Sequence, residues 1–232
     1  MSYKIIVAKY NENIEWLQSE MTNCIIYNKG VKLNIENEIH LANVGRESET
    51  YLHYIITNYD KLPDIVVFTQ ARISDHKGSD DVYYLIDIKN QALTHTTSQN
   101  FFIHNDVGDN IDFDKRWNLR KDGYYLKHNY KHNRPITFFD WFRSNINIHY
   151  PNPIKVYRNS IFSVKKENIL KNPLHYYKRL ITEVNHHVNS TEGHFFERSW
   201  YYIFNSIITL PVIVPRIDRR RQLSRLSIMY LT

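Results

Sequence analysis

Three short apolar runs open this chain at intervals that suit a parallel sheet. Tyr3 to Ala8 (YKIIVA), Cys24 to Tyr27 (CIIY) and Asp64 to Phe68 (DIVVF) read as strands. Between the second and third, Tyr51, Leu52, Ile55, Ile56 and Tyr59 recur at helical spacing, directly after Gly45-Arg46-Glu47. Between the first and second, Asn11 reads as the N-cap of a helix bearing Ile14, Trp16 and Leu17. Strands alternating with helices predict an α/β fold: a Rossmann-like, mostly parallel sheet flanked by helices.

The remainder is less regular. Residues Val82 to Leu93 fit either a helix or a strand, and Phe101 to Asn133, rich in Asn, Asp, Gly and His, reads as a long ordered loop or lid. Thr137 to Ile146 reads as a short aromatic helix and Val156 to Val164 as a strand. Asn172 is expected to cap a helix that starts at Pro173 and buries Leu174, Tyr177, Leu180, Ile181 and Val184. A last helix is expected over Phe195 to Ile208. The predicted organisation is one domain, residues 1–210, with a long central insertion, followed by a basic tail over 211–232.

Composition narrows the partners. With 42% hydrophobic and 14% aromatic residues, the chain has the material for one sizeable core. A net charge of +6 favours anionic partners, and much of the excess sits in Arg216, Arg219, Arg220, Arg221 and Arg225. No window approaches a membrane span, and the N-terminus lacks the pattern of a signal peptide. The single cysteine, Cys24, excludes an internal disulfide and is expected buried at the start of a strand, which fits a cytoplasmic protein.

Ligands of open α/β sheets bind beyond the carboxyl ends of the strands. Tyr10-Asn11-Glu12, Asn28-Lys29 and Thr69-Gln70 are therefore one candidate rim, although Asn11 and Asn28 equally suit ordinary turns. Arg46 falls at a helix start, where unpaired N–H groups and the helix dipole favour an anion. The alternative is a surface pair with Glu47 or Glu49, worth little. On the last helix His194, Glu197 and Tyr201 share a face with Arg198 alongside. Glu197 either acts as a base or stays ionised against Arg198. His128 with His132 and the acidic run Asp106, Asp109, Asp112 and Asp114 lack the spacing of metal sites, and His186-His187 reads as a helix end. There is no Walker loop, dinucleotide fingerprint or nucleophile elbow.

The stretches VAKYNENIEWL (Val7 to Leu17), IYNKG (Ile26 to Gly30) and NVGRESETYLHYI (Asn43 to Ile55) continue as LPDIVVFTQ (Leu62 to Gln70), FSVKKENIL (Phe162 to Leu170) and EGHFFERSWYYIF (Glu192 to Phe204). In that order the chain resembles a small glycosyltransferase-like domain family of fungi, bacteria and large DNA viruses, similar to the GT-A fold. The resemblance implies transfer of a sugar from a nucleotide sugar, a UDP- or GDP-sugar, to a hydroxyl of a glycan or other acceptor, in the cytoplasm, the host's for a viral member. It points to Tyr10, Asn11 and Glu12 as the loop that holds the nucleotide and to Glu197 as the carboxylate facing the acceptor; Arg46, Gln70 and His76 are further candidate donor contacts, and His194 is a second candidate catalytic residue. Arg158 and Arg198 are candidate acceptor or phosphate contacts. GT-A enzymes usually chelate Mn²⁺ or Mg²⁺ through an Asp-x-Asp pair, but here that position reads Phe68-Thr69-Gln70-Ala71-Arg72. Asp75, His76, Asp80 or Asp81 would then reach the metal, or Arg46 and Arg72 would replace it.

Two competing readings are a non-catalytic sugar-binding or scaffold descendant of the fold and a basic nucleic-acid-binding module. The aromatics fall mostly on core-facing positions, so nucleic acid is not the expected partner. The tail, where Val212, Ile213 and Leu223 accompany the arginines, allows membrane contact or packing on its own domain.

Overall fold

Ile5, Ile6 and Val7 are fully buried, so the strand that carries them, β1 (Tyr3–Lys9), must be covered on both faces. The computed structural model describes residues 1–73, 103–105, 138–146, 148–151, 155–157 and 160–206. In it β1 lies at the centre of a five-stranded sheet. β2 (Cys24–Asn28) and then β3 (Glu38–His40) flank it on one side. β4 (Ile65–Gln70) lies on the other, and beyond it β7 (Phe162–Lys165). The first four run parallel, while β7 is antiparallel to β4, pairing Phe162 with Phe68. The protein is thus α/β, with a mixed, mostly parallel sheet flanked by helices. A separate two-stranded ladder joins β5 (Ile103–Asn105) to β6 (Lys155–Tyr157).

Side-chain alternation sorts the central strands between two apolar layers. Ile5, Val7, Ile26, Ile65 and Val67 pack with Leu17 on one face. Ile6, Val66 and Phe68 pack on the other with Tyr51, Leu52 and Ile55 of α1 (Arg46–Asn58). The first connection departs from expectation. It is a 3₁₀-helix, Glu15–Asn23, burying only Leu17, and no side chain caps it. Asn11 is not the cap; the side chain of Asn13 accepts from the Glu15 N–H at 2.7 Å. With a single buried anchor, the segment lacks the apolar stripe that would hold an α-helix. Trp16 fixes it instead, its indole N–H donating to the Ala71 carbonyl at 2.8 Å.

The second face is closed by α5 (Thr191–Asn205), which begins earlier than the sequence suggests because Ser190 caps it, accepting from the Gly193 N–H at 3.2 Å. Trp200 and Phe204 of α5 stack on one another, and Phe204 also lies on Phe68 and Phe162. Tyr51 meets Phe68 at 4.7 Å and Trp200 at 6.0 Å, joining α1 to the same aromatic cluster. The strand expected over Val156 to Val164 is broken into β6 and β7, with Ser160 in the left-handed region at φ 53°. The Tyr51 hydroxyl holds that corner by donating to the Ser160 carbonyl at 3.0 Å.

Three further helices pack nearby. α2 (Phe138–Asn145) is the short aromatic helix expected, and α3 (Lys166–Leu170) follows β7 directly. α4 (Leu174–Ile181) starts after Pro173, which is its N-cap. Asn172 does not cap it; its amide instead donates to the Ile203 carbonyl of α5 at 2.8 Å, an acceptor no local signal reveals. Cys24 is buried at the start of β2, where desolvation, then the Glu20 charge, push its thiol up to about 12. Among the described residues no helix is long and apolar enough to cross a membrane. The readings of Val82–Leu93, of most of Phe101–Asn133 and of the basic tail fall outside the described residues.

Gly45 adopts φ 61° just ahead of α1, and a Cβ there would lie 2.5 Å from the Glu49 Cβ and 2.6 Å from the Val184 carbonyl oxygen. Both the left-handed backbone and the close approach require glycine. Gly45→Ala is expected to destabilise the fold by at least about 2 kcal/mol, read from urea denaturation midpoints.

Candidate functional site

The chain leaves β1 toward β2 and β3 on one side and returns to β4 on the other, with Ala8 paired to Gln70. That divergence opens a crevice at the carboxyl ends of β1 and β4, the usual ligand position in open α/β sheets. A cavity of about 470 Å³ occupies it. Ala8, Lys9, Tyr10 and Glu12 line it from β1 and the loop after it, Lys29 from the end of β2, and Gln70 from the end of β4. Asn43, Arg46 and Glu47 come from the entry to α1, and Val188 and Asn189 from the segment before α5.

Gly30 allows the loop after β1 to sit so close. A Cβ at this position would collide with the Tyr10 carbonyl oxygen and lie 2.5 Å from the Asn11 side-chain oxygen. Glu12 folds back on its own loop, accepting from the Tyr10 N–H at 2.6 Å. Tyr10 stands half-exposed at the mouth, as does Val188.

Lys29 organises the opposite wall. Its ammonium donates to the Val44 carbonyl at 2.5 Å and the Arg46 carbonyl at 2.6 Å, and forms an ion pair with Glu49 Oε2 at 2.8 Å. Burial lowers the Lys29 pKa, and the Glu49 carboxylate opposes that shift. The pair holds the left-handed corner formed by Gly45 and Arg46, whose φ is 50°. Backbone strain of that kind persists where its surroundings over-determine it.

Arg46 is the first residue of α1, as expected. Its Nε lies 3.5 Å from Glu47 Oε2, so the surface pair weighed in the sequence does form. The rest of the guanidinium reaches α5, with Nη1 3.5 Å from Nε2 of His194. A guanidinium only donates, so Nε2 must accept, which leaves the imidazole neutral with its proton on Nδ1. Burial chiefly, then Arg46 and Arg198 against the opposing Glu197, lower the His194 pKa to about 3. The Ser48 hydroxyl donates to the Gly193 carbonyl at 3.4 Å, a second tie between α1 and α5.

The structure therefore brings Tyr10, Glu12, Arg46 and Gln70 to one cavity and sets His194 against Arg46. Asn11 sits exposed on the same loop without lining the cavity. Glu197 and Arg198 lie one turn beyond His194 and pair with each other at 3.2 Å; neither lines the cavity, and nor does Arg72. His76, Arg158, Asp75, Asp80 and Asp81 lie outside the described residues. Lys9, Asn43, Val188 and Asn189 were not anticipated. Lys9 alone carried a signal: it continues the row Ile5, Val7, in which a third buried position is expected to be apolar.

Among the described residues no three His, Cys, Asp or Glu side chains gather as metal ligands. The cavity carries Lys9, Lys29 and Arg46 against Glu12 and Glu47, both of which are already engaged. That donor set does not fit a divalent cation.

Fold and site together define an α/β protein with a cation-lined cavity at the switch point of its sheet. The chain belongs to the family described as protein of unknown function (DUF3431), whose model matches residues 5–215. No curated protein and no solved structure matches it.

Two outcomes follow from this geometry. Lys29→Met strands the Glu49 carboxylate in the interior and is expected to cost about 3–5 kcal/mol in urea denaturation, largely restored in the Lys29→Met/Glu49→Leu pair. The folded chain keeps His194 unprotonated down to about pH 3, whereas its ordinary value is 6.5. The unfolded state therefore binds the extra proton first. The His194 contribution to stability is complete above pH 6.5 and is lost as pH falls toward 3, by about 1.4 kcal/mol per pH unit. His194→Phe should remove that slope from stability measured between pH 7 and pH 4.

Proposed function

We propose that the protein is a nucleotide-sugar-dependent glycosyltransferase of GT-A-like fold. The observation that carries the reading is the convergence of Tyr10, Arg46 and Gln70 on one crevice at the β1–β4 switch point, with cationic side chains in its lining. A sugar donor there would direct its diphosphate to Arg46 and the start of α1, where guanidinium and helix dipole both favour negative charge. Tyr10, exposed at the mouth, offers a ring face to the base.

In transfer the bond between the sugar's anomeric carbon and the diphosphate oxygen breaks, and the diphosphate leaves with the electron pair. The acceptor oxygen forms the new bond and gives up its proton. Glu197 is the carboxylate we assign to take that proton, with Arg198 beside it. His194, neutral and held by Arg46, serves as a positioning residue that fixes the guanidinium toward the leaving group. Mn²⁺ or Mg²⁺ would supply charge neutralisation at the diphosphate in related enzymes. The described residues do not fit such an ion, so no step here depends on one.

One observation favours the second reading, a sugar-binding descendant without turnover: Glu197 is engaged by Arg198 and does not line the cavity. Screening nucleotide sugars by thermal shift, and then for release of nucleoside diphosphate with and without an acceptor, separates the two. Turnover of one UDP- or GDP-sugar is expected, falling roughly 10²- to 10⁴-fold in Glu197→Gln and roughly 10²-fold or more in Arg46→Gln. Full turnover in Glu197→Gln removes that residue from catalysis, and binding without turnover of any donor supports the descendant.

A further inference from the structure

Lys9 is 95% buried, with 5% of its surface exposed, yet its ammonium has one hydrogen bond, to the carbonyl of its neighbour Tyr10 at 3.0 Å. Among the described residues no carboxylate pairs with it. Lys29, in the same cavity wall, shows what a structural lysine requires: two backbone carbonyls accept from its ammonium and a buried carboxylate cancels the charge. A buried ammonium without a counter-ion is costly, and apolar or paired side chains are the usual occupants of such positions. At the end of the row Ile5, Val7 a methionine would complete the layer without that cost. The carboxylates that share the cavity do not serve Lys9, since Glu12 bonds to its own loop and Glu47 to Arg46.

We propose that Lys9 and Arg46 together hold the diphosphate of the ligand directly, taking the place of the divalent cation on which GT-A-like enzymes usually rely. This deepens the glycosyltransferase reading and rests on it for the identity of the diphosphate carrier. The two cations reach the cavity from different elements, Lys9 from the carboxyl end of β1 and Arg46 from the first turn of the 13-residue α1. A metal ion in the same cavity would face their like charge, and among the described residues no carboxylate cluster stands ready to bind it. A diphosphate supplies what Lys9 lacks: acceptors for its two remaining N–H donors, and the opposite charge. The buried lysine is thus a preorganised anion contact whose desolvation has already been met in folding.

The test uses the full chain and inorganic pyrophosphate as the probe, by calorimetry and thermal shift, in EDTA and then in excess Mn²⁺. Wild-type protein is expected to bind pyrophosphate in EDTA, and Mn²⁺ should not tighten that binding. Lys9→Met should weaken binding about tenfold or more, while its ligand-free melting temperature stays equal or rises; Lys9→Arg should retain most of the affinity. A purely structural lysine would show the opposite, a lowered melting temperature with affinity unchanged. Pyrophosphate binding that appears only with Mn²⁺, the absence of any binding, or unweakened binding in Lys9→Met each overturn the proposal, and the first two need no variant. Failure of the parent reading looks different: metal-free, Lys9-dependent binding with no turnover of any nucleotide sugar leaves the anion site standing without the transferase. Mn²⁺-dependent turnover that Lys9→Met preserves does the reverse.

Discussion

Trp200 and Phe204 of α5 lie flat on one another against Phe68 and Phe162 of the sheet, and Tyr51 of α1 meets Phe68 and Trp200 in the same cluster. Ring contacts of this kind contribute about 0.5–1.5 kcal/mol each beyond the area they bury. Their greater effect is positional. Helices nearly 150 residues apart in sequence are fixed to one face of the sheet, so that residue 46 and residue 194 meet at 3.5 Å. The Ser48–Gly193 contact then ties the entry of α1 to the entry of α5 a second time.

The cavity that results mixes two kinds of buried charge. The Lys29–Glu49 pair is internal architecture: it offsets its own desolvation and fastens the left-handed corner before α1. Among the described residues Lys9 has no comparable compensation, its one hydrogen bond going to the Tyr10 carbonyl. Proteins commonly give up stability at sites kept ready for an opposite charge. His194 is kept neutral mainly by its own burial, with Arg46 adding to the effect and Glu197 opposing it.

Much of this was legible in the residues. The runs YKIIVA, CIIY and DIVVF could hardly be anything but buried strands, and the spacing of Tyr51, Leu52 and Ile55 announced α1. The strand-end rule then placed Tyr10, Glu12 and Gln70 on the rim of one crevice and Arg46 at the start of a helix. Features decided by distant partners were not legible. Asn11 and Asn172 look like caps because their local chemistry permits it, but tertiary acceptors claimed Asn172, and a 3₁₀ connection made the Asn11 cap needless. β3 is three residues long and partly exposed, so it has no apolar signature to read. The break before β7 depends on Ser160 adopting a left-handed backbone that Tyr51 secures from across the core. Lys9 was overlooked for a simpler reason: a lysine ending a strand normally reaches solvent, and only the surrounding loops enclose it.

Cys24 brings a last consequence. Its thiol lies beneath the 3₁₀ connection with its acidity suppressed, and reagents and oxidants attack the thiolate form. While that covering stays in place, the sulfur is buried and largely in its unreactive thiol form. It becomes reactive only when the 3₁₀ connection or the strand beneath it opens, so this chain's sole native thiol reports on the integrity of that face of the sheet.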